Sequence, residues 1–184
     1  MRHLFLIDPP ETYVSENDTS QLLADEALKR GHEVFVSHIY NLNLHSAKLF
    51  IENKAVEDFD FVWIRKDPPI NMTYIQHLQL LTQVNGPKFI NCPGSILRWL
   101  DKNMIFEFQE FIADTVIFRD KEFLKSMFEK YKEVVVKPLN GFSGKGVEVF
   151  EDFEEVPDFN EFMIGQEFLE GVYKGDKRVH IFNG

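Results

Sequence analysis

One stretch limits the folds open to this chain more than any other: Val134-Val135-Val136-Lys137-Pro138-Leu139-Asn140-Gly141-Phe142-Ser143-Gly144-Lys145-Gly146-Val147-Glu148-Val149. Three consecutive valines favour a buried strand, and Pro138 forbids a helix from continuing there. Val147 and Val149 alternate with Glu148 and resume a strand period. Between the strands, Gly141, Gly144 and Gly146 let backbone N–H groups turn toward a common point, and Lys137 and Lys145 add positive charge to it. Such a loop suits a polyphosphate under a flexible flap; the same residues would also make a plain hairpin turn. Two other phosphate loops are excluded. A P-loop needs Gly-Lys followed by Ser or Thr and a helix, whereas Lys145 precedes Gly146 and a strand. A dinucleotide fingerprint needs G-x-G-x-x-G, and the order here is G-x-x-G-x-G with no helix behind it.

The length of 184 residues fits one large domain or two small ones, and the 44% hydrophobic content, with 19 Phe, is ample for a core. A net charge of −10 argues against a nucleic-acid partner, so any polyanion site must gather its lysines locally. No apolar run reaches membrane-spanning length and the N-terminus lacks a signal peptide's apolar core, so no membrane partner is expected. Cys92 is the only cysteine, which excludes a disulfide framework and points to a reducing cytoplasm. Beside Pro93 it reads as an inert, half-buried thiol. The histidines lack zinc-type spacing.

Taken in order, the chain alternates strands and helices. Leu4-Phe5-Leu6-Ile7 is an all-apolar strand, as in a parallel sheet buried on both faces. Asp18 or Thr19 caps a helix carrying Leu22, Leu23, Ala27 and Leu28, and Gly31 closes it. Val34-Phe35-Val36 completes a βαβ unit. Residues 42–54 are ambiguous, a strand or loop excursion. A strand over 59–65 runs into Arg65-Lys66-Asp67-Pro68-Pro69, whose prolines could aim Arg65 and Lys66 outward as anion holders; a solvated turn is the other reading. A helix over 73–84 and a strand at Lys88-Phe89-Ile90 follow, then a linker at Asn91-Cys92-Pro93-Gly94. Beyond it, Ser95 caps a helix through Phe108, residues 115–118 form a strand, and 121–131 form a helix whose Phe123, Leu124, Met127 and Phe128 face the core. Residues 151–161 make an acidic loop, and 178–182 a last strand. The chain then stops on Asn183-Gly184, a hairpin signal without a return strand, which reads as a truncation. The fold class is α/β in two parts, residues 1–93 and 94–184.

Three of these motifs, Arg65-Lys66-Asp67-Pro68-Pro69, Lys137-Pro138-Leu139-Asn140-Gly141 and Gly175-Asp176-Lys177-Arg178-Val179, stand in the order and spacing of bacterial glutathione synthetase. The chain resembles that family, one of the ATP-grasp carboxylate–amine ligases, along its whole length, and covers about three-fifths of it by this reading. The resemblance implies a Rossmann-like pre-ATP-grasp parallel sheet followed by an incomplete ATP-grasp domain. It implies ATP-binding roles for Lys102 and Lys137, and a phosphate-covering loop of Gly141, Phe142, Ser143, Gly144, Lys145 and Gly146. Gln166, Glu167, Phe168 and Leu169 would form the adenine hinge, and Asp176 would hold the ribose. Arg178 would stabilise the reacting groups, and Arg65 and Lys66 would lie near the acceptor substrate.

In the family, ATP phosphorylates the carboxylate of γ-glutamylcysteine, and glycine's amine attacks the acyl phosphate. Positioning and charge neutralisation dominate such chemistry. The loop differs from close relatives in carrying a lysine and fewer glycines. The family's Mg²⁺ ligands would fall beyond Gly184, so the chain alone is expected to ligate negligibly. It would act as the N-terminal part of a ligase, as half of a split enzyme completed by a C-terminal chain, or as a non-catalytic nucleotide-binding module; a homo-oligomer is compatible with each.

Overall fold

A computed structural model describes residues 1–8, 18–100, 102–177 and 179–180. The chain divides into two compact units, Met1–Leu100 and Asp101–Gly184.

The first unit is built on β1 (Arg2–Ile7), α1 (Thr19–Lys29) and β2 (Glu33–His38). A three-stranded antiparallel ribbon follows, β3 (Leu42–His45), β4 (Lys48–Ile51) and β5 (Lys54–Ala55). Then come β6 (Phe61–Ile64), α2 (Met72–Leu81), β7 (Lys88–Ile90) and α3 (Pro93–Arg98). The main sheet has the order β2-β1-β6-β7 and is parallel throughout.

Its all-apolar first strand serves both faces. Leu4 and Leu6 pack with Val62, Ile64, Leu78 and Leu81, while Phe5 and Ile7 meet Ala24 of α1. The ribbon resolves the ambiguous 42–54 stretch: Leu42, Leu49 and Ile51 drop into the first of these cores. Strands this short carry too little periodicity to be recognised from sequence.

Asp18 caps α1 as expected, its Oδ1 accepting from Ser20 N at 2.7 Å and Gln21 N at 3.0 Å. Asp18→Ala is expected to cost about 1 kcal/mol, read as a shift in the urea midpoint.

The second unit contains β8 (Thr115–Phe118), α4 (Lys125–Lys130), β9 (Val134–Pro138), β10 (Glu148–Phe150) and β11 (Met163–Glu167). They form an antiparallel sheet of order β10-β9-β11-β8. One face is core: Val134, Val136, Phe118 and Met163 pack with Leu124 and Met127. Gly165 lies on this face, and a Cβ there would sit 2.3 Å from Leu124 Cδ2 and 3.1 Å from Val116 Cγ1. The helical layer rests directly on that backbone. Gly165→Ala is therefore expected to lose about 1–3 kcal/mol by overpacking. Because both tryptophans, Trp63 and Trp99, belong to the first unit, the loss should appear in far-ultraviolet melting and leave the tryptophan transition in place.

Two expectations are corrected. The helix foreseen from Ser95 to Phe108 is two pieces: α3, starting at Pro93 behind Cys92, and a 3-10 segment over Asn103–Phe111 kinked at Phe108. Pro93 suits a first helical turn, where its missing N–H goes unneeded. Between the pieces Lys102 leaves the helical region, at φ −102° and ψ 7°, to make the tertiary bonds described below. Residues 121–131 likewise split into a 3-10 turn, Lys121–Leu124, and the shorter α4. Their change of phase leaves Phe123 65% exposed rather than in the core. The proposed last strand over 178–182 lies mostly outside the described residues, as does Asn183-Gly184; Val179 and His180 belong to no strand.

Candidate functional site

On the second unit's other sheet face, strand alternation sets three polar side chains among Val135, Ile117 and the buried Ile164. Lys137 is opposite Ile164, and Gln166 is opposite both Val135 and Thr115, so Lys137, Gln166 and Thr115 share one side. Lys137 Nζ donates to Gln166 Oε1 at 2.5 Å, and Gln166 Nε2 donates to Thr115 Oγ1 at 2.7 Å. The Thr115 hydroxyl in turn donates to Ala113 O at 2.6 Å.

Lys102 Nζ donates to three carbonyls of the turn after β9: Pro138 O at 3.0 Å, Leu139 O at 2.9 Å and Gly141 O at 2.6 Å. This corrects the picture of a loop whose amides converge. Here carbonyls converge on an ammonium, while Gly141 N and Lys145 N donate within the loop, to Pro138 O and Phe142 O. The physical reason is charge: a part-buried ammonium needs acceptors, and a turn's carbonyls supply three at once.

β9 and β10 are an antiparallel pair, so the segment between them is a hairpin connection. Ser143, Gly144 and Gly146 all have positive φ, and a Cβ at Gly146 would come 3.0 Å from Pro138 Cγ. Phe142 and Lys145 are exposed, with the Lys145 ammonium 5.3 Å over the Phe142 ring.

Burial pushes the Lys137 ammonium below its ordinary pKa, and the charge of Lys102 pushes it further in the same direction. Two cations are thus gathered locally in a chain of net charge −10, at a place where a polyanion would relieve their repulsion.

Downstream, the Glu167 N–H donates to Asp114 O and the Phe168 N–H to Glu133 O, extending the strand pairing past β11. Phe168 is half-buried against Tyr173, and Leu169 is exposed. Asp176 is exposed on the segment after the 3-10 turn Glu170–Lys174. Arg178 lies outside the described residues.

In the first unit, the outward-pointing reading of the residue 65–69 motif is corrected. Lys66 has only 4% of its side chain exposed and pairs with Asp8 Oδ1 at 3.0 Å. It also donates to Asp67 O and lies 5.7 Å from the centre of the Tyr74 ring. Asp8 Oδ2 accepts from Asp67 N at 2.5 Å, so one carboxylate holds both the lysine and its turn. A buried ammonium aimed at solvent would have no counter-charge, and the carboxyl end of β1 supplies one. Arg65 reaches α1 instead, donating to Thr19 Oγ1 at 2.8 Å and Ser20 Oγ at 3.2 Å.

The Tyr74 phenol beneath this pair is pushed up to about 12 by burial, then by the charge of Asp8 and by Tyr40. A raised folded value means that the unfolded chain ionises first. The contribution of Tyr74 is intact below about pH 10 and is lost between there and about 12. Tyr74→Phe is expected to flatten the alkaline limb of the stability profile in that window.

Comparison with known proteins assigns both units. Residues 101–184 match the model of the prokaryotic glutathione synthetase ATP-grasp domain, and residues 1–57 and 51–97 match that of the prokaryotic glutathione synthetase N-terminal domain. The chain belongs to the prokaryotic glutathione synthetase family.

Among relatives, glutathione synthetase of Prochlorococcus marinus is 29% identical over 211 aligned positions, which span 100% of this chain and 69% of the relative. That of Mesorhizobium japonicum is also 29% identical, over 97% of this chain and 66% of the relative. Solved structures agree on the fold. D-alanyl-alanine synthetase A of Vibrio cholerae aligns with a TM-score of 0.63 at 14% identity, over 92% of this chain and 59% of that one. A RimK-domain ATP-grasp protein of Sphaerobacter thermophilus gives 0.60 at 19% identity, over 92% and 64%. The chain thus spans about two-thirds of the length of its glutathione synthetase relatives, and somewhat less of these structures.

Neither the Asp8–Lys66 pair nor the role of Thr115 has a signal in the sequence. Asp8 was visible only as the residue ending an apolar strand.

Proposed function

We propose that this chain supplies the nucleotide-binding part of an ATP-dependent carboxylate–amine ligase that joins γ-glutamylcysteine and glycine. ATP would be cleaved to ADP and phosphate through an acyl phosphate. The observation that supports this most directly is the Lys137–Gln166 pair on the sheet face beside the loop that Lys102 holds. The γ-phosphoryl transfer needs cations fixed in advance around the polyphosphate, and two strand- and turn-anchored lysines meet that need. Gln166, Glu167, Phe168 and Leu169 would border the base, Asp176 the ribose, and Arg178 the reacting phosphoryl and carboxylate.

Among the described residues no group of three or more His, Cys, Asp or Glu converges to hold a metal ion. Likewise, no helix among them is long and apolar enough to cross a membrane.

Calorimetric titration of this chain with ATP tests the reading. Saturable one-to-one binding that inorganic pyrophosphate competes away is expected. Absence of binding at millimolar ATP would overturn it.

A further inference from the structure

The sheet face that carries Lys137 holds a residue to which neither motif nor resemblance gave a role. We propose that Thr115 is a positioning residue of this site: anchored on Ala113 O, its hydroxyl fixes the Gln166 carboxamide so that Oε1 faces Lys137 Nζ. The inference rests on the nucleotide reading above and adds to it a residue that acts at one remove.

Donor and acceptor roles fix the arrangement. A protonated lysine can only donate, so the Gln166 atom 2.5 Å from Lys137 Nζ must be the oxygen. The Gln166 NH₂ group then faces Thr115 Oγ1 at 2.7 Å, and that oxygen must accept. It is free to accept because its own hydrogen goes to Ala113 O at 2.6 Å. The chain of bonds therefore runs one way, from ammonium to carboxamide to hydroxyl to backbone carbonyl. Each dipole in it points its negative end toward the ammonium, so the bonds reinforce one another.

The ammonium already favours the oxygen, and Thr115 adds the second restraint, an acceptor for the NH₂ group that holds the carboxamide in that orientation. A flipped Gln166 would set its NH₂ group against the ammonium. The sheet supplies the geometry. Gln166 and Thr115 are directly paired across β11 and β8, and Lys137 lies two residues along on β9, a diagonal that long side chains span. The groups facing the Lys137 ammonium are Gln166 from β11 and Lys102 from the segment before Asn103–Phe111.

Thr115→Val keeps the shape and the strand preference and removes the hydroxyl; Thr115→Ser keeps the hydroxyl. Two readouts apply. The first needs no nucleotide: the ¹³C shift of Lys137 Cε is followed against pH. Thr115→Val is expected to move the Lys137 titration to lower pH, and Thr115→Ser to leave it at the wild-type position. The second is ATP affinity, expected to fall about fivefold in Thr115→Val and to be kept in Thr115→Ser. In a Gln166→Ala background, Thr115→Val should have no further effect on either readout.

A Thr115→Val protein that titrates and binds like wild type, or a loss that persists without Gln166, overturns the positioning role. These outcomes are separable from failure of the nucleotide reading. That reading falls if Lys137→Ala leaves ATP affinity unchanged, whereas the lysine titration still decides the role of Thr115.

Discussion

Lys137→Ala will weaken ATP binding by about ten- to a hundredfold, the range for losing a charge-assisted contact from a preorganised donor. Lys145→Ala will change it by less than about threefold, because an exposed side chain on a loop brings a screened, mobile charge. The contrast follows from anchorage. Lys137 leaves a strand paired on both sides and is held by Gln166, whereas Lys145 rides the exposed turn over Phe142. Paired calorimetric titrations at one ionic strength check it. Equal losses would mean that loop and strand contribute alike and that anchorage does not decide the phosphate contact.

Asp8→Ala will be the most destabilising of the substitutions considered, at about 3 kcal/mol, because it leaves an ammonium in the interior without its counter-charge. The Lys66 side chain is 4% exposed, and its remaining acceptors are main-chain carbonyls of its own turn. The double change Asp8→Leu with Lys66→Met should recover most of the loss, since a well-packed apolar pair has no desolvation cost. Tryptophan fluorescence in urea measures this cleanly, both indoles being in the first unit. A second signature is available: without the Asp8 charge, the Tyr74 phenol should titrate below its value of about 12. A loss under about 1 kcal/mol, with Tyr74 unmoved, would show that Lys66 finds compensation elsewhere.

The parts of the fold legible in the sequence were those set by neighbours along the chain. The valine run before Lys137 is a strand because β-branched residues prefer one, and Asp18 caps α1 because its carboxylate reaches two N–H groups next to it. What escaped was decided across distance. Lys66 looked like an anion holder until Asp8, 58 residues upstream, took its charge. The helix foreseen through Lys102 breaks because its ammonium bonds to carbonyls 36 to 39 residues ahead. Phe123 fits an apolar helical stripe, but a 3-10 turn changes the phase beneath it.

Within the site, Lys137 and the glycine loop stand out by type and spacing, whereas Lys102 is singled out only through the family resemblance; the structure brings Lys102 to that loop and Lys137 to Gln166. Gln166 is singled out for its backbone, and the bond from Lys137 to its side chain is an additional contact that only the structure shows. Thr115 had no sequence signal at all, since a threonine in a strand is ordinary.

The short strand β11 reads differently from its two sides. Met163 and Gly165 seat the helical layer, and the alternate residues Ile164 and Gln166 line the surface that carries Lys137. A deletion or insertion of one amino acid just upstream would exchange these duties, pressing a carboxamide into the hydrocarbon interior and leaving the lysine opposite a bare backbone. Point substitution can alter the polar residues here without disturbing the core, whereas a change of length cannot, and an engineer grafting this strand elsewhere would have to carry its phasing intact.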